Sequence, residues 1–212
     1  MTHQIAWYLL LCFTTVVTPG AGVLYTVSGA LRYGAGYAWP CIAGNAAGVF
    51  IVSCLTAGGL GALIVASSVL FAAMQAIGAL YLVYLGLKSW RAAPVDALAF
   101  ASKGGRRPAA SHFELFRDAV LLQGSNPLLF LFLFSLFPQF IVPESSFWIQ
   151  CSVLIVIFCV MVLVVHAAYA IIATFARSAL SGRSVFLWIN RISGVIFLGL
   201  GAAVLMKLAA GA

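Results

Sequence analysis

The chain has 212 residues, of which 64% are hydrophobic and 7% are charged. Soluble globular domains carry about a quarter charged residues, so this composition excludes a soluble enzyme, a disordered chain and a small disulfide scaffold. The net charge of +7 does not indicate a nucleic-acid partner. Most of the lysines and arginines lie between apolar segments, where they act as orientation signals in membrane proteins.

The apolar segments are long enough to cross a lipid bilayer. A helix needs about 20 apolar residues to span the hydrocarbon, and backbone inside a bilayer must satisfy its own hydrogen bonds, which favours helices. The sequence therefore predicts an all-α membrane protein, a single domain over residues 1–212 with six transmembrane helices. We place these helices at 5–27, 38–65, 69–88, 119–142, 147–175 and 185–207.

The basic residues predict the orientation of these spans. Nine of the eleven lysines and arginines lie in or beside the first, third and fifth loops. Positive charge favours the cytoplasmic side, so we expect these loops inside and both termini outside a bacterial plasma membrane, the inner membrane. The third loop, 91–117, contains the basic linker 103–108, which either contacts anionic lipid head groups or simply sets the topology.

Proline interrupts the first and the fourth predicted span, at Pro19 and at Pro127. The six spans thus divide into two sets of three, 1–90 and 118–212, which we predict to be an inverted 3+3 repeat. Paired broken helices in corresponding spans indicate a transporter's binding site. A proline frees a carbonyl, and such groups are tolerated at depth only beside protein or water. A kink without function is the alternative interpretation.

At these residues the chain resembles the LysE/RhtB family of amino-acid exporters. Pro19-Gly20 is similar to the family's proline–glycine turn, residues 78–86 (GALYLVYLG) resemble its third helix, and Asn126-Pro127 with residues 137–141 (FPQFI) resembles the signature of its fourth. The resemblance covers essentially the whole chain. It implies a secondary transporter, an antiporter coupled to the proton gradient, that exports amino acids or related small metabolites.

Four positions depart from the family pattern. Ala21 and Gly22 stand where proline and asparagine are usual, Leu128 replaces a lysine, and Val49 occupies a position that is often acidic. Each of these changes removes polarity or charge from the region where the resemblance implies that the substrate passes.

An amino-acid zwitterion needs donors for its carboxylate and acceptors for its ammonium group. Unwound helix ends and asparagine side chains supply both. With a rise of about 1.5 Å per residue, most polar residues of the spans fall in the cytoplasmic half, which suits loading from the cell interior, whereas Gln75 lies in the outer half. The predicted substrate-binding residues are Pro19, Gly20, Gly22, Asn45, Ser125, Asn126, Pro127 and Tyr169.

Three polar residues also have simpler interpretations. Asn126 precedes a proline and can satisfy itself in a local turn, and Asn45 can be a contact between helices. Arg191 either meets a substrate carboxylate or, more simply, extends its charge toward the membrane surface.

His166 is the only titratable side chain placed deep within a predicted span. Free histidine has a pKa of about 6.5, and ionisable groups inside a bilayer suggest a functional pathway. We therefore predict that His166 couples transport to protons, with Tyr169, three residues on, holding the imidazole. The alternative is a neutral histidine hydrogen-bonded across helices, to Asn45 or Asn126.

Three other functions stay open at this point. A metal-ion exporter on a related fold needs deep carboxylates or clustered His and Cys ligands, and a six-span thiol–disulfide redox protein needs a cooperating cysteine pair; neither pattern stands out. A non-transporting membrane subunit is the third. We expect no catalytic residues, metal or cofactor. The expected partners are an amino-acid-like small molecule and membrane lipid, and a homo-oligomer is left open.

Overall fold

The computed structural model describes residues 2–66, 68–93, 111–142, 146–175 and 183–209. All regular elements within these ranges are helical. The eight α-helices are α1 Thr2–Val17, α2 Ala21–Tyr33, α3 Ala38–Ala66, α4 Ser68–Arg91, α5 His112–Gly124, α6 Pro127–Phe140, α7 Phe147–Phe175 and α8 Arg183–Ala209, and a 3-10 turn, Ala35–Tyr37, connects α2 to α3.

The first and fourth predicted spans are each two helices that meet at an angle. The axes of α1 and α2 differ by 54°, and those of α5 and α6 differ by 58°. Both bends fall at the predicted prolines, because Pro19 lies between α1 and α2 while Pro127 opens α6. A proline cannot donate the helical hydrogen bond and clashes with the carbonyl one turn back, so a helix ends before it.

Three segments in the described part of the chain are long and apolar enough to cross a membrane: Ala35–Ala62, Phe147–Phe175 and Phe186–Met206. Counting each bent pair as one span raises the number to five. The remaining predicted span, 69–88, corresponds to α4, a helix of 24 residues. The all-helical membrane class is therefore as predicted, whereas the count of six and the inverted repeat stay predictions.

The fourth span begins earlier than the sequence indicated. Helix α5 starts at His112, seven residues before the expected 119, because Ser111 and Glu114 form a capping box. The Ser111 hydroxyl accepts from the Glu114 amide at 3.1 Å, and the Glu114 carboxylate accepts from the Ser111 amide at 2.8 Å. Such reciprocal caps fix a helix start. The predicted basic linker 103–108 lies outside the described residues.

Glycines allow two pairs of helices to approach closely. A Cβ on Gly44 would meet the Cβ of Ala119 at 2.7 Å, and one on Gly48 would meet the Cβ of Gln123 at the same distance. Helices α3 and α5 thus pack almost backbone to backbone, as small residues four apart permit. This contact sets where the end of α5 lies relative to α2.

Candidate functional site

At the first break, the carbonyl groups at the end of α1 have no hydrogen-bond partner within the helix, and the Tyr169 hydroxyl donates to one of them. Its hydroxyl donates to the carbonyl of Val17, the last residue of α1, at 2.7 Å. Tyr169 is itself buried. This hydrogen bond satisfies a carbonyl that the helix break leaves unpaired, so Tyr169 stabilises the conformation of the break.

The N-terminus of α2 has no side-chain cap. Gly20 occupies the cap position, and its carbonyl accepts from the Leu24 amide at 3.0 Å. The amides of the first turn, Ala21 to Val23, have no acceptor inside the helix. They add to the partial positive charge of the helix end. The start of α2 therefore offers donors to an anion.

At the second break, the side chain of Asn126 caps the N-terminus of α6. Asn126 Oδ1 accepts from the amides of Leu128 and Leu129 at 3.1 and 3.3 Å, and Pro127 begins α6. Asparagine at this position caps a helix strongly. The side-chain oxygen of Asn126, predicted for substrate, is thus occupied by the backbone of α6, and the two breaks differ in what they offer.

Both breaks border one cavity of about 480 Å³. The first contributes Thr18, Gly20 and Gly22, and the second contributes residues 125–127. Gly20 and Ser125 are exposed, so the cavity opens to the surface beside the breaks. Apolar side chains form its other walls, among them Val49, Leu85, Phe132, Phe158, Val162 and Phe197.

Six of the nine predicted site residues line this cavity: Gly20, Gly22, Ser125, Asn126, Pro127 and His166. Pro19, Asn45 and Tyr169 do not belong to its lining. Asn45 lies directly behind Gly22, fully buried, and its amide group donates to the carbonyl of Cys41 at 2.8 Å. Its Oδ1 has no hydrogen-bond partner.

Gln123 is a cavity residue that the sequence reasoning missed. Its side chain is 8% exposed and lines the cavity one residue before α5 ends. The nitrogen Nε2 lies 2.9 Å from the point where a Cβ on Gly22 would be. Meanwhile Gln123 Oε1 accepts from Asn126 Nδ2 at 3.4 Å. The sequence signal that could have identified Gln123 is its polar side chain, one helical turn before Asn126.

His166 has a different partner from those expected. Its Nδ1 lies 3.0 Å from Thr26 Oγ1, and Asn45 Nδ2 donates to the same hydroxyl oxygen at 3.3 Å. Neither Asn45 nor Asn126 contacts the imidazole through a hydrogen bond. The Thr26 hydroxyl can donate to Nδ1 or accept from it, so which of the two donates depends on the ring nitrogen that carries the proton. The expectation that Tyr169 holds the imidazole is also wrong, since the Tyr169 hydroxyl donates to the carbonyl of Val17.

In the part of the chain that the structure describes, the cavity walls carry no acidic or basic side chain other than His166. Glu114 and Asp118, the acids in the described part of the chain, lie on the first two turns of α5, where Asp118 pairs with Arg117 at 2.9 Å. The site therefore offers oriented dipoles and apolar surface. This chemistry suits a small dipolar molecule with an uncharged side chain.

Several known bacterial proteins resemble this chain over most of its length. The model of the family described as LysE type translocator matches residues 13–208. A homoserine/homoserine lactone efflux protein of Salmonella typhimurium is 32% identical, over 92% of this chain and 94% of that protein. An uncharacterized membrane protein of Vibrio cholerae is also 32% identical, over 92% of each chain. A leucine efflux protein of Salmonella typhimurium is 29% identical, over 92% and 91%. No solved structure matches.

Proposed function

Because the chain belongs to the LysE type translocator family, we propose that it is a secondary transporter of the bacterial plasma membrane that exports amino acids or related small metabolites. Relatives named as efflux proteins for homoserine, its lactone and leucine support this substrate class. The observation that carries the proposal is the cavity between the two helix breaks. Transporter sites typically form at paired discontinuous helices.

The substrate carboxylate binds at the start of α2. Two independent features support this position: the helix end is uncapped, and the nine-tenths-buried Gln123 presents its free Nε2 toward Gly22. Amide donors and the positive end of a helix together favour an anion. The start of α6 is less suited, because Asn126 already occupies its amides.

The apolar walls receive the substrate side chain. Phe132 lies 6.1 Å from Phe158 and 6.2 Å from Phe197, measured between ring centroids, and all three rings line the cavity. A cationic side chain would lose its hydration there without meeting a carboxylate, which is costly. We therefore expect amino acids with uncharged side chains to be favoured over lysine or arginine.

Proton coupling through His166 is the finer part of the proposal. The imidazole lines the cavity, so a proton and a substrate would meet in one compartment. Its hydrogen bond to Thr26 is to a neutral hydroxyl, and no acidic side chain of the described residues lines the cavity beside it. With six spans and both termini outside, the cavity lies in the cytoplasmic half and loads from within.

Counterflow in proteoliposomes tests the function. Vesicles loaded with one unlabelled amino acid are given the same labelled compound outside, across a panel that includes leucine, homoserine, lysine and glutamate. We expect accumulation for the uncharged compounds well above that in protein-free vesicles. Folded protein that gives no accumulation with any member of the panel would instead support the non-transporting subunit.

A further inference from the structure

Arg191 lies in α8 without a counterion among the described residues. It is the sixth residue of the apolar segment Phe186–Met206. Its Nε is buried and has no hydrogen-bond partner, and the single ion pair in the described part of the chain joins Arg117 to Asp118. An unpaired charge in such a segment is costly unless an anion or water reaches it.

Two tryptophans flank this guanidinium. Its Cζ lies 6.0 Å from the ring centroid of Trp90 on α4 and 5.8 Å from that of Trp188 on α8. Both indoles are about half exposed, at 49% and 59%. Tryptophan concentrates at the level of lipid head groups, and a guanidinium over an indole face keeps its edge free for bidentate contact with an oxyanion.

The packing of α4 on α8 holds this arrangement in place. A Cβ on Gly194, one turn after Arg191, would meet the carbonyl oxygen of Gly86 at 2.9 Å and the amide nitrogen of Trp90 at 3.0 Å. The absence of a side chain at Gly194 thus lets the end of α4 approach α8 and brings Trp90 beside the arginine. Lys88 and Arg91 add positive charge on the last turn of α4.

We propose that Arg191, flanked by Trp90 and Trp188, binds the phosphate of an anionic phospholipid at the edge of the α4–α8 pair that the predicted orientation puts on the cytoplasmic side. Basic sites between helices on this side of a membrane suit anionic head groups. The two half-exposed indoles supply apolar contact for the glycerol and upper acyl region. The site is separate from the transport cavity, whose lining includes neither Arg191 nor the two tryptophans.

Native mass spectrometry of the purified full-length protein tests this proposal. Phosphatidylglycerol and phosphatidylcholine are titrated into wild-type protein and into the variants Arg191→Gln, Arg191→Lys and Arg117→Gln. We expect Arg191→Gln to weaken phosphatidylglycerol binding about fivefold, the ratio for one cation near an anionic surface. Arg191→Lys should keep part of the affinity, and Arg117→Gln, the same charge change on α5, should keep all of it.

Several results would overturn the lipid site. Wild-type affinity in Arg191→Gln would do so, as would equal binding of phosphatidylcholine and phosphatidylglycerol. Displacement of the lipid by inorganic phosphate would identify a free anion as the ligand. Counterflow by Arg191→Gln with a raised KM and unchanged lipid binding would assign the arginine to substrate.

Discussion

The side-chain nitrogen of Gln123 faces Gly22 across the two helix breaks. Nε2 lies 2.9 Å from the position that a Cβ on Gly22 would occupy, and Asn45 Oδ1 lies 2.7 Å from the same position. The amide of Gln123, near the end of α5, therefore lies beside the start of α2. Because Gly22 has no side chain, that space stays open.

Replacing Gly22 by alanine should impair transport while the protein still folds. The new methyl group would displace the amide ends of Asn45 and Gln123, and it would also lie 3.2 Å from His166 Cε1. Asn45 and Gln123 present flexible side-chain ends, so they can move, but Gln123 would then leave its position in the cavity wall. We expect counterflow to fall at least tenfold. Gly58→Ala is the matched control, since nothing lies within 4 Å of a Cβ there; equal activity of the two variants would contradict the assignment.

Gln123→Leu should raise the KM for amino acids at least about tenfold, because a hydrogen bond to a charged group contributes about 1.5–3 kcal/mol. Gln123→Glu should be worse, since its carboxylate repels that of the substrate. The measurement is transport of an amino acid beside the corresponding amine, which lacks the carboxylate. If both compounds lose affinity equally in Gln123→Leu, Gln123 does not contact the carboxylate.

His166→Gln should uncouple transport from protons. We expect exchange of substrate for substrate to continue, whereas accumulation driven by a pH gradient disappears, because glutamine hydrogen-bonds but does not titrate. The control is His112→Gln, at the exposed start of α5. Normal gradient-driven accumulation in His166→Gln would assign the imidazole to packing against Thr26.

Cysteines introduced at the two breaks should react with hydrophilic thiol reagents. Gly20 and Ser125 are the best positions, since both are exposed and line the cavity. The background must lack the native cysteines, which are Cys12, Cys41, Cys54, Cys151 and Cys159. Ser135→Cys, at a buried position, should stay inert. Two unreactive break positions in a transporting protein would contradict a water-accessible cavity.

The orientation predicted from the basic loops is tested with reporter fusions. Reporters placed after Gly105 and after Ala212 should lie in opposite compartments, with the first in the cytoplasm. A cytoplasmic reporter at Ala212 would mean that the span count or the orientation is wrong.

Composition and local pattern were enough for the class of the protein and for the position of its breaks. A chain with 7% charged residues has to bury long apolar segments, and Pro19 and Pro127 end helices through local sterics that depend on no distant residue. The predicted segment 147–175 coincides with α7 because its apolar run by itself marks where the helix begins and ends. At α5 the expectation placed the helix start too late, because it followed hydrophobicity and not the cap at Ser111.

The roles of individual side chains were decided by tertiary structure. Tyr169 reaches Val17 and His166 reaches Thr26, pairs separated by 152 and 140 positions in the chain. Whether such partners meet depends on how each helix is rotated and how closely it packs. Glycines control that approach, as Gly48 does for Gln123. A sequence therefore determines that polar groups enter the membrane, while only the packed helices decide which of them face the cavity and which support its walls.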